Sequence, residues 1–171
     1  NLPSQEKMKP AGYRDIPAGE IPRVSLPLGG EARVIAGALT LDGTTICGPI
    51  NGRGAKLSTD PLYLDVRLPA GAEFKHQVAS GHSAFLYIYE GSAAIGTAAE
   101  VKPLARGAAG VLSDGDSVRV EAGTEGVHFL LLAARPLREP VVQYGPFVMN
   151  TREEIEQALA DYRDGRLAAA A

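Results

Sequence analysis

The chain has 171 residues, 45% hydrophobic and 22% charged, the balance of an ordinary globular protein with room for one core. Its 17 basic and 20 acidic side chains leave a formal net charge of -3, which argues against a dedicated nucleic-acid binder, because affinity for phosphate backbones needs clustered Lys and Arg. The one cysteine, Cys47, cannot form an internal disulfide and reads as an inert small hydrophobe, as expected in the cytoplasm, and no apolar run approaches the about 20 residues of a membrane span. With 20 Gly, 12 Pro and no Trp, the composition predicts many short elements joined by turns rather than a helical bundle. The chain opens Asn1-Leu2-Pro3, with neither an initiator Met nor a signal-peptide pattern, so a processed chain or a part of a longer one is expected.

In residues 1–30, Pro3, Pro10, Pro17, Pro22 and Pro27 forbid a long helix or a central strand and predict an extended arm with Ile16, Ile21, Val24 and Leu26 as apolar contacts. Ala32 to Gly37 reads as a first strand, followed by turns at Gly43 and Gly48-Pro49. Leu62, Leu64, Val66 and Leu68 alternate with Tyr63, Asp65 and Arg67, the period of two of a half-buried strand. Further strands are expected at Glu73 to Val78 and at Ser83 to Tyr89, the latter ended by Glu90-Gly91 and completed as a hairpin by Ala93 to Gly96. Ala109 to Leu112, Ser117 to Glu121 and Val127 to Ala134 follow, the last two separated by a turn at Gly123-Thr124-Glu125-Gly126. Short strands with regular Gly or Asp turns predict an all-β antiparallel sandwich or barrel over residues 31–135.

Residues 136–171 break this pattern. Pro136, Pro140 and Pro146 keep the chain extended, and a short helix then starts at a capping box, Thr151 with Glu154, with Asn150 as a rival cap. Ile155, Leu159 and Tyr162 share one helical face, Glu153, Gln157, Asp161 and Asp164 point away, and Gly165 is the terminator. The tail from Ala168 to Ala171 is expected to fray, and Phe147 to anchor the segment in a pocket on the barrel or on a partner.

His76, His82 and His128 are the candidate metal ligands or bases. A jelly roll of this size suggests a cupin, whose first motif is similar to Gly-x5-His-x-His-x3,4-Glu-x6-Gly. Here Gly71 precedes His76, but the second imidazole is replaced in His76-Gln77-Val78, and neither His82 nor Glu90 fits the acidic position well. Of a second motif similar to Gly-x5-Pro-x-Gly-x2-His, Gly115 and Gly123 remain, Glu121 replaces the proline, and Gly126 stands at the histidine. His128, two residues on, shares a face with that position if no bulge intervenes. A transition metal needs three or four protein ligands, so no metal is expected in this chain. His76 and His82 flank a Ser- and Gly-rich turn and are expected to be exposed; His128 reads as the start of a core strand. Gly52-Arg53-Gly54 lacks the Lys of a phosphate loop, Ser83, His82 and Asp65 form no recognisable triad, and Asp114, Asp116 and Glu121 read as turn acids.

The most specific signal is Leu137-Arg138-Glu139-Pro140-Val141-Val142-Gln143-Tyr144-Gly145-Pro146-Phe147-Val148-Met149-Asn150-Thr151 with the helix after it. Together with Ser83 to Gly91 and the opening from Asn1 through Lys7-Met8-Lys9-Pro10 to Tyr13, it closely resembles the C-terminal half of the pirin family. The resemblance implies a cupin jelly roll and a bicupin whose N-terminal half, absent here, holds iron or another divalent transition metal through three His and one Glu. None of those ligands has a matching position in this chain. Some pirins resemble quercetin 2,3-dioxygenases, in which the metal lets oxygen attack a flavonol; others resemble transcriptional cofactors that bind a regulatory protein. The expected role is a metal-free structural domain whose partner is the N-terminal cupin half, with no direct nucleic-acid or membrane contact. Two other readings stay open: a self-sufficient metal enzyme using His76, His82 and His128, and a protein-interaction module.

Overall fold

The computed structural model describes residues 1–10, 12–52, 56–97 and 100–167. Arg53 and Gly54 of the glycine loop, and the Ala168 to Ala171 tail, lie outside these described residues. The chain divides into two compact units, one of residues 16–136 and one of residues 1–15 with 137–171. Residues 16–30 thus group with the strands rather than with the N-terminal arm.

The larger unit is an antiparallel β structure. Its main sheet runs in the order β1 (Arg23–Ser25), β2 (Glu31–Ala36), β5 (Leu62–Leu68), β10 (Ser117–Ala134), β7 (Ser83–Thr97) and β8 (Glu100–Ala105), with β6 (Glu73–Gln77) on β10 and β9 (Ala109–Val111) on β7. The remaining strands, β3 (Ala38–Leu41) and β4 (Thr44–Cys47), form a hairpin of their own around Asp42-Gly43, both at positive φ as a two-residue hairpin turn requires. The prolines beside β1 and Pro103 within β8 are tolerated because both strands lie at sheet edges, where a missing N–H breaks no ladder. That same Pro103 hides β8 from a reading by alternation.

The alternation expected in Leu62–Leu68 is present, with Leu64, Val66 and Leu68 buried. They meet Val34, Phe74, Leu86, Ile88, Val120, Phe129 and Leu131 in one core, where the Phe74 and Phe129 rings pack edge to face at 5.9 Å. Burial of each such side chain stabilises the fold by about 1.5–3 kcal/mol.

Two expected turns are not turns. Gly91 does not end its strand: β7 runs from Ser83 to Thr97, bent at Gly91, whose φ is +70°. Nor does Gly123 to Gly126 separate two strands; it is a bulge inside the single strand β10, where pairing with β7 jumps from Ala122↔Ala93 to Val127↔Gly91. The physical reason is close approach. A Cβ on Gly91 would overlap the Gly126 carbonyl, and one on Gly126 would come within 2.7 Å of the Leu68 carbonyl. Glycine here bends a strand and lets backbones touch, which sequence alone does not distinguish from a turn.

In the smaller unit, β11 (Val142–Tyr144) and β12 (Phe147–Met149) pair across Gly145-Pro146, so the extended tail is in fact a hairpin. The helix α1 (Arg152–Arg163) begins at the expected capping box: Thr151 Oγ1 accepts from the Glu154 N–H at 3.2 Å, and Glu154 Oε2 accepts from the Thr151 N–H at 2.9 Å. Asn150 is not the cap; its amide donates to Glu139 Oε2 at 2.9 Å and to the Pro140 carbonyl at 3.0 Å. Gly165, at φ +71°, ends the helix as expected.

The buried helix face is Ile155, Ala158 and Leu159 rather than Ile155, Leu159 and Tyr162. Tyr162 is 68% exposed, touching Phe147 edge to face at 6.0 Å, while Asp161 turns inward enough to accept from Gln157 and Arg166. Phe147 packs in this local hairpin–helix cluster, with Met149 its most buried strand residue. The N-terminal segment is tied in by Lys7 Nζ, donating to the Val148 carbonyl at 2.9 Å, and by the Ser4 N–H, donating to Glu139 Oε2 at 2.8 Å.

Two outcomes follow. Gly91→Ala should lower the unfolding free energy of the strand unit by roughly 3 kcal/mol or more, combining left-handed strain with backbone overlap. Gly107→Ala, at φ +78° with open space around it, should lose only about 1–2 kcal/mol, and urea denaturation followed by circular dichroism compares the two. Thr151→Ala should cost about 1 kcal/mol, seen as faster hydrogen exchange in the first turn of α1, with Thr151→Ser close to the parent.

Candidate functional site

The period of two along β6 points Phe74 and His76 into the core and Glu73, Lys75 and Gln77 outward. Gln77, which replaces the second histidine of the cupin motif, is therefore exposed rather than in the core, although it still borders the pocket that His76 lines. His76 is 9% exposed and lies nearly parallel to the Phe74 ring at 6.2 Å, with no hydrogen-bond partner among the described residues. Burial pushes its pKa below the ordinary histidine value, so the ring is a neutral imidazole at neutral pH.

The turn at Ser80-Gly81, with Gly81 at φ +80°, brings His82 back toward the same pocket of about 350 Å³. The His82 side chain is 8% exposed, and its Nε2 lies 3.7 Å from Asp60 Oδ2. Both imidazoles are thus buried, contrary to the expectation of an exposed turn, because the turn folds inward over the barrel end. Asp60 is held by Asn51, whose Nδ2 donates to Asp60 Oδ1 at 2.7 Å. That hydrogen bond, opposed by burial and aided by the charges of Lys56, His82 and Arg135, keeps the Asp60 carboxyl below its ordinary pKa. Cys47, at the end of β4, also borders the pocket as a free thiol.

His128 lies elsewhere. On β10 the inward residues after the bulge are Val127, Phe129, Leu131 and Ala133, and this alternation leaves the His128 imidazole half-buried on the outer face of the sheet. There it lines a groove of about 630 Å³, with Nδ1 3.1 Å from Glu90 Oε2 and its ring 5.5 Å from that of Tyr89. Tyr89 Oη donates to Asp65 Oδ1 at 2.6 Å; burial first, then this carboxylate, pushes the phenol well above its ordinary pKa. Arg23, Arg33, Arg67, Glu31 and Glu125 add to the polar lining.

The three candidate histidines therefore do not converge: His76 and His82 share one pocket and His128 occupies the other. Glu90, once a candidate for the acidic motif position, is on the outer face with His128, and Asp65 is there too, apart from His82. Among the described residues, no three His, Cys, Asp or Glu side chains are grouped as a metal ion would need. The residues present do not fit the metal that a cupin fold implies. Asn51, Asp60, Tyr89 and the His128–Glu90 pair carry no spacing signal, because cross-strand register and loop closure bring them together.

A sequence model described as the pirin C-terminal cupin domain matches residues 63–168. A pirin-like protein of Caulobacter vibrioides is 43% identical over 167 residues, which cover 97% of this chain and 56% of the relative. Human pirin is 38% identical over 172 residues, covering 97% of this chain and 54% of its own length. The solved quercetin 2,3-dioxygenase of Acinetobacter baumannii superposes with a TM-score of 0.81 at 32% identity, over 99% of this chain and 55% of that one. The chain spans about half the length of the curated relatives it matches. With the family's cupin domain matched from β5 through α1, over more than half of its residues, the chain belongs to the pirin family.

Proposed function

We propose that this chain is the metal-free, structural half of a pirin-type bicupin. Its partner is an N-terminal cupin half that holds iron or another divalent transition metal and any quercetinase-like oxygenation. One observation carries the reading: strand register sends His76 and His128 to opposite faces of the sheet, so the barrel interior offers two imidazoles where three or four ligands are needed. The likeness to a protein named quercetin 2,3-dioxygenase supports the dioxygenase context for the whole protein. A cytoplasmic location belongs to the same proposal and is consistent with the free Cys47. None of the described helices is long and apolar enough to cross a membrane.

Anaerobic loading of the purified chain with Fe(II), followed by desalting and elemental analysis, tests the reading. The expected content is below about one ion per ten chains, given the ligand count. A content near one ion per chain that disappears in His76→Ala would overturn it.

A further inference from the structure

We propose that the barrel-end pocket bordered by His76, His82 and Cys47 binds a small uncharged molecule, one ring in size, through a hydroxyl or carbonyl group on the ligand. This goes beyond the structural role argued above and does not depend on it.

The first support is His76. It is nine-tenths buried, has no hydrogen-bond partner among the described residues, and lines this pocket. Its ring nitrogens are not sealed in the core, so a hydroxyl or carbonyl entering the pocket can meet them, where a leucine or phenylalanine at this inward position would offer no polar atom. As a neutral ring it presents one donor and one acceptor, the complement of a hydroxyl.

The second support is what the other polar groups have left to offer. Asn51 is fully engaged, donating to Asp60 Oδ1 and the Pro61 carbonyl and accepting from the Leu57 N–H. Lys56 is 74% exposed and lies 3.7 Å from Asp60, so among the described residues the lysine that borders the pocket already has a counter-charge. Among the described residues lining the pocket, hydrogen-bonding capacity is left on the two imidazoles, the Cys47 thiol and the Gln77 amide, against apolar walls at Leu62 and Val78. A volume near 350 Å³ is at the small end of ligand pockets and suits a single ring.

The third support is a pre-formed wall. The Gly37 N–H donates to the Ile50 carbonyl at 2.8 Å, and the Gly48 N–H to the Gly37 carbonyl at 2.9 Å. A Cβ on Gly52 would come within 2.6 Å of the Gly37 and Gly48 carbonyls. Gly48 and Ile50 are thus held against the sheet before any ligand arrives, which lowers the ordering cost on that side of the pocket.

The chain has three histidines, so a sample labelled with ¹³C only in histidine resolves both pockets at once. Resorcinol, a neutral one-ring diol, is titrated beside toluene, which lacks the hydroxyls, and benzoate, which is charged. Saturable shifts of the His76 and His82 ring signals with resorcinol, His128 unmoved, are the expected result, with toluene and benzoate at least about tenfold weaker. His76→Phe should bind resorcinol at least about tenfold more weakly while melting at or above the parent temperature. If that variant does not fold, His82→Gln serves in its place, with the same loss expected. No saturable shift, a response centred on His128, benzoate or toluene binding as tightly as resorcinol, or full affinity in the folded variant would each overturn the proposal.

Discussion

At Gly91 and Gly126 two long strands pass so closely that no side chain fits between their backbones, and the architecture of the strand unit depends on that crossing. β7 and β10 each bend there instead of ending, so each pairs with different neighbours along its length. Beyond the bend β7 meets β8, and before it β7 meets β9; β10 serves β6 with one half and β5 with the other. A strand that changes neighbours without a break closes the core of a jelly roll with few exposed edges. Left-handed glycine is the inexpensive way to build such a bend, since any Cβ adds strain and overlap together.

The same bulge decides the chemistry. Across Gly123 to Gly126 the inward set on β10 changes from Val118, Val120 and Ala122 to Val127, Phe129, Leu131 and Ala133, which leaves the His128 imidazole outside. His76, on the partner strand β6, keeps the inward face. A metal centre needs its ligands to meet within a few ångströms, and here the sheet itself separates them. What remains inside the barrel end is a neutral imidazole, a His82–Asp60 pair and a thiol, a set suited to hydrogen bonding. Outside, the Tyr89–Asp65 and His128–Glu90 pairs lie in a groove where acids and bases are interspersed.

Local patterns made much of the fold readable in the chain itself. Strict alternation places Leu64, Val66 and Leu68 in the core because successive strand residues must face opposite ways. The Thr151–Glu154 box starts the helix because the first-turn N–H groups need acceptors, and Gly165 ends it because a left-handed residue is needed there. The family resemblance rests on contiguous residues, whereas the tail, expected to be extended, pairs with itself as a hairpin. Strand β8 was hidden by Pro103, acceptable only at an edge, and an edge is a property of the sheet.

Composition, alternation and capping thus determined an all-β domain with a C-terminal helix. Only the tertiary structure decided whether Gly91 and Gly123 to Gly126 turn the chain or bend it, which face His128 takes, and that His82 folds inward to meet Asp60. The reason is the range of the forces involved. Alternation and caps are settled by neighbours a few residues apart, whereas register and pocket closure are settled by carbonyls and side chains from distant strands.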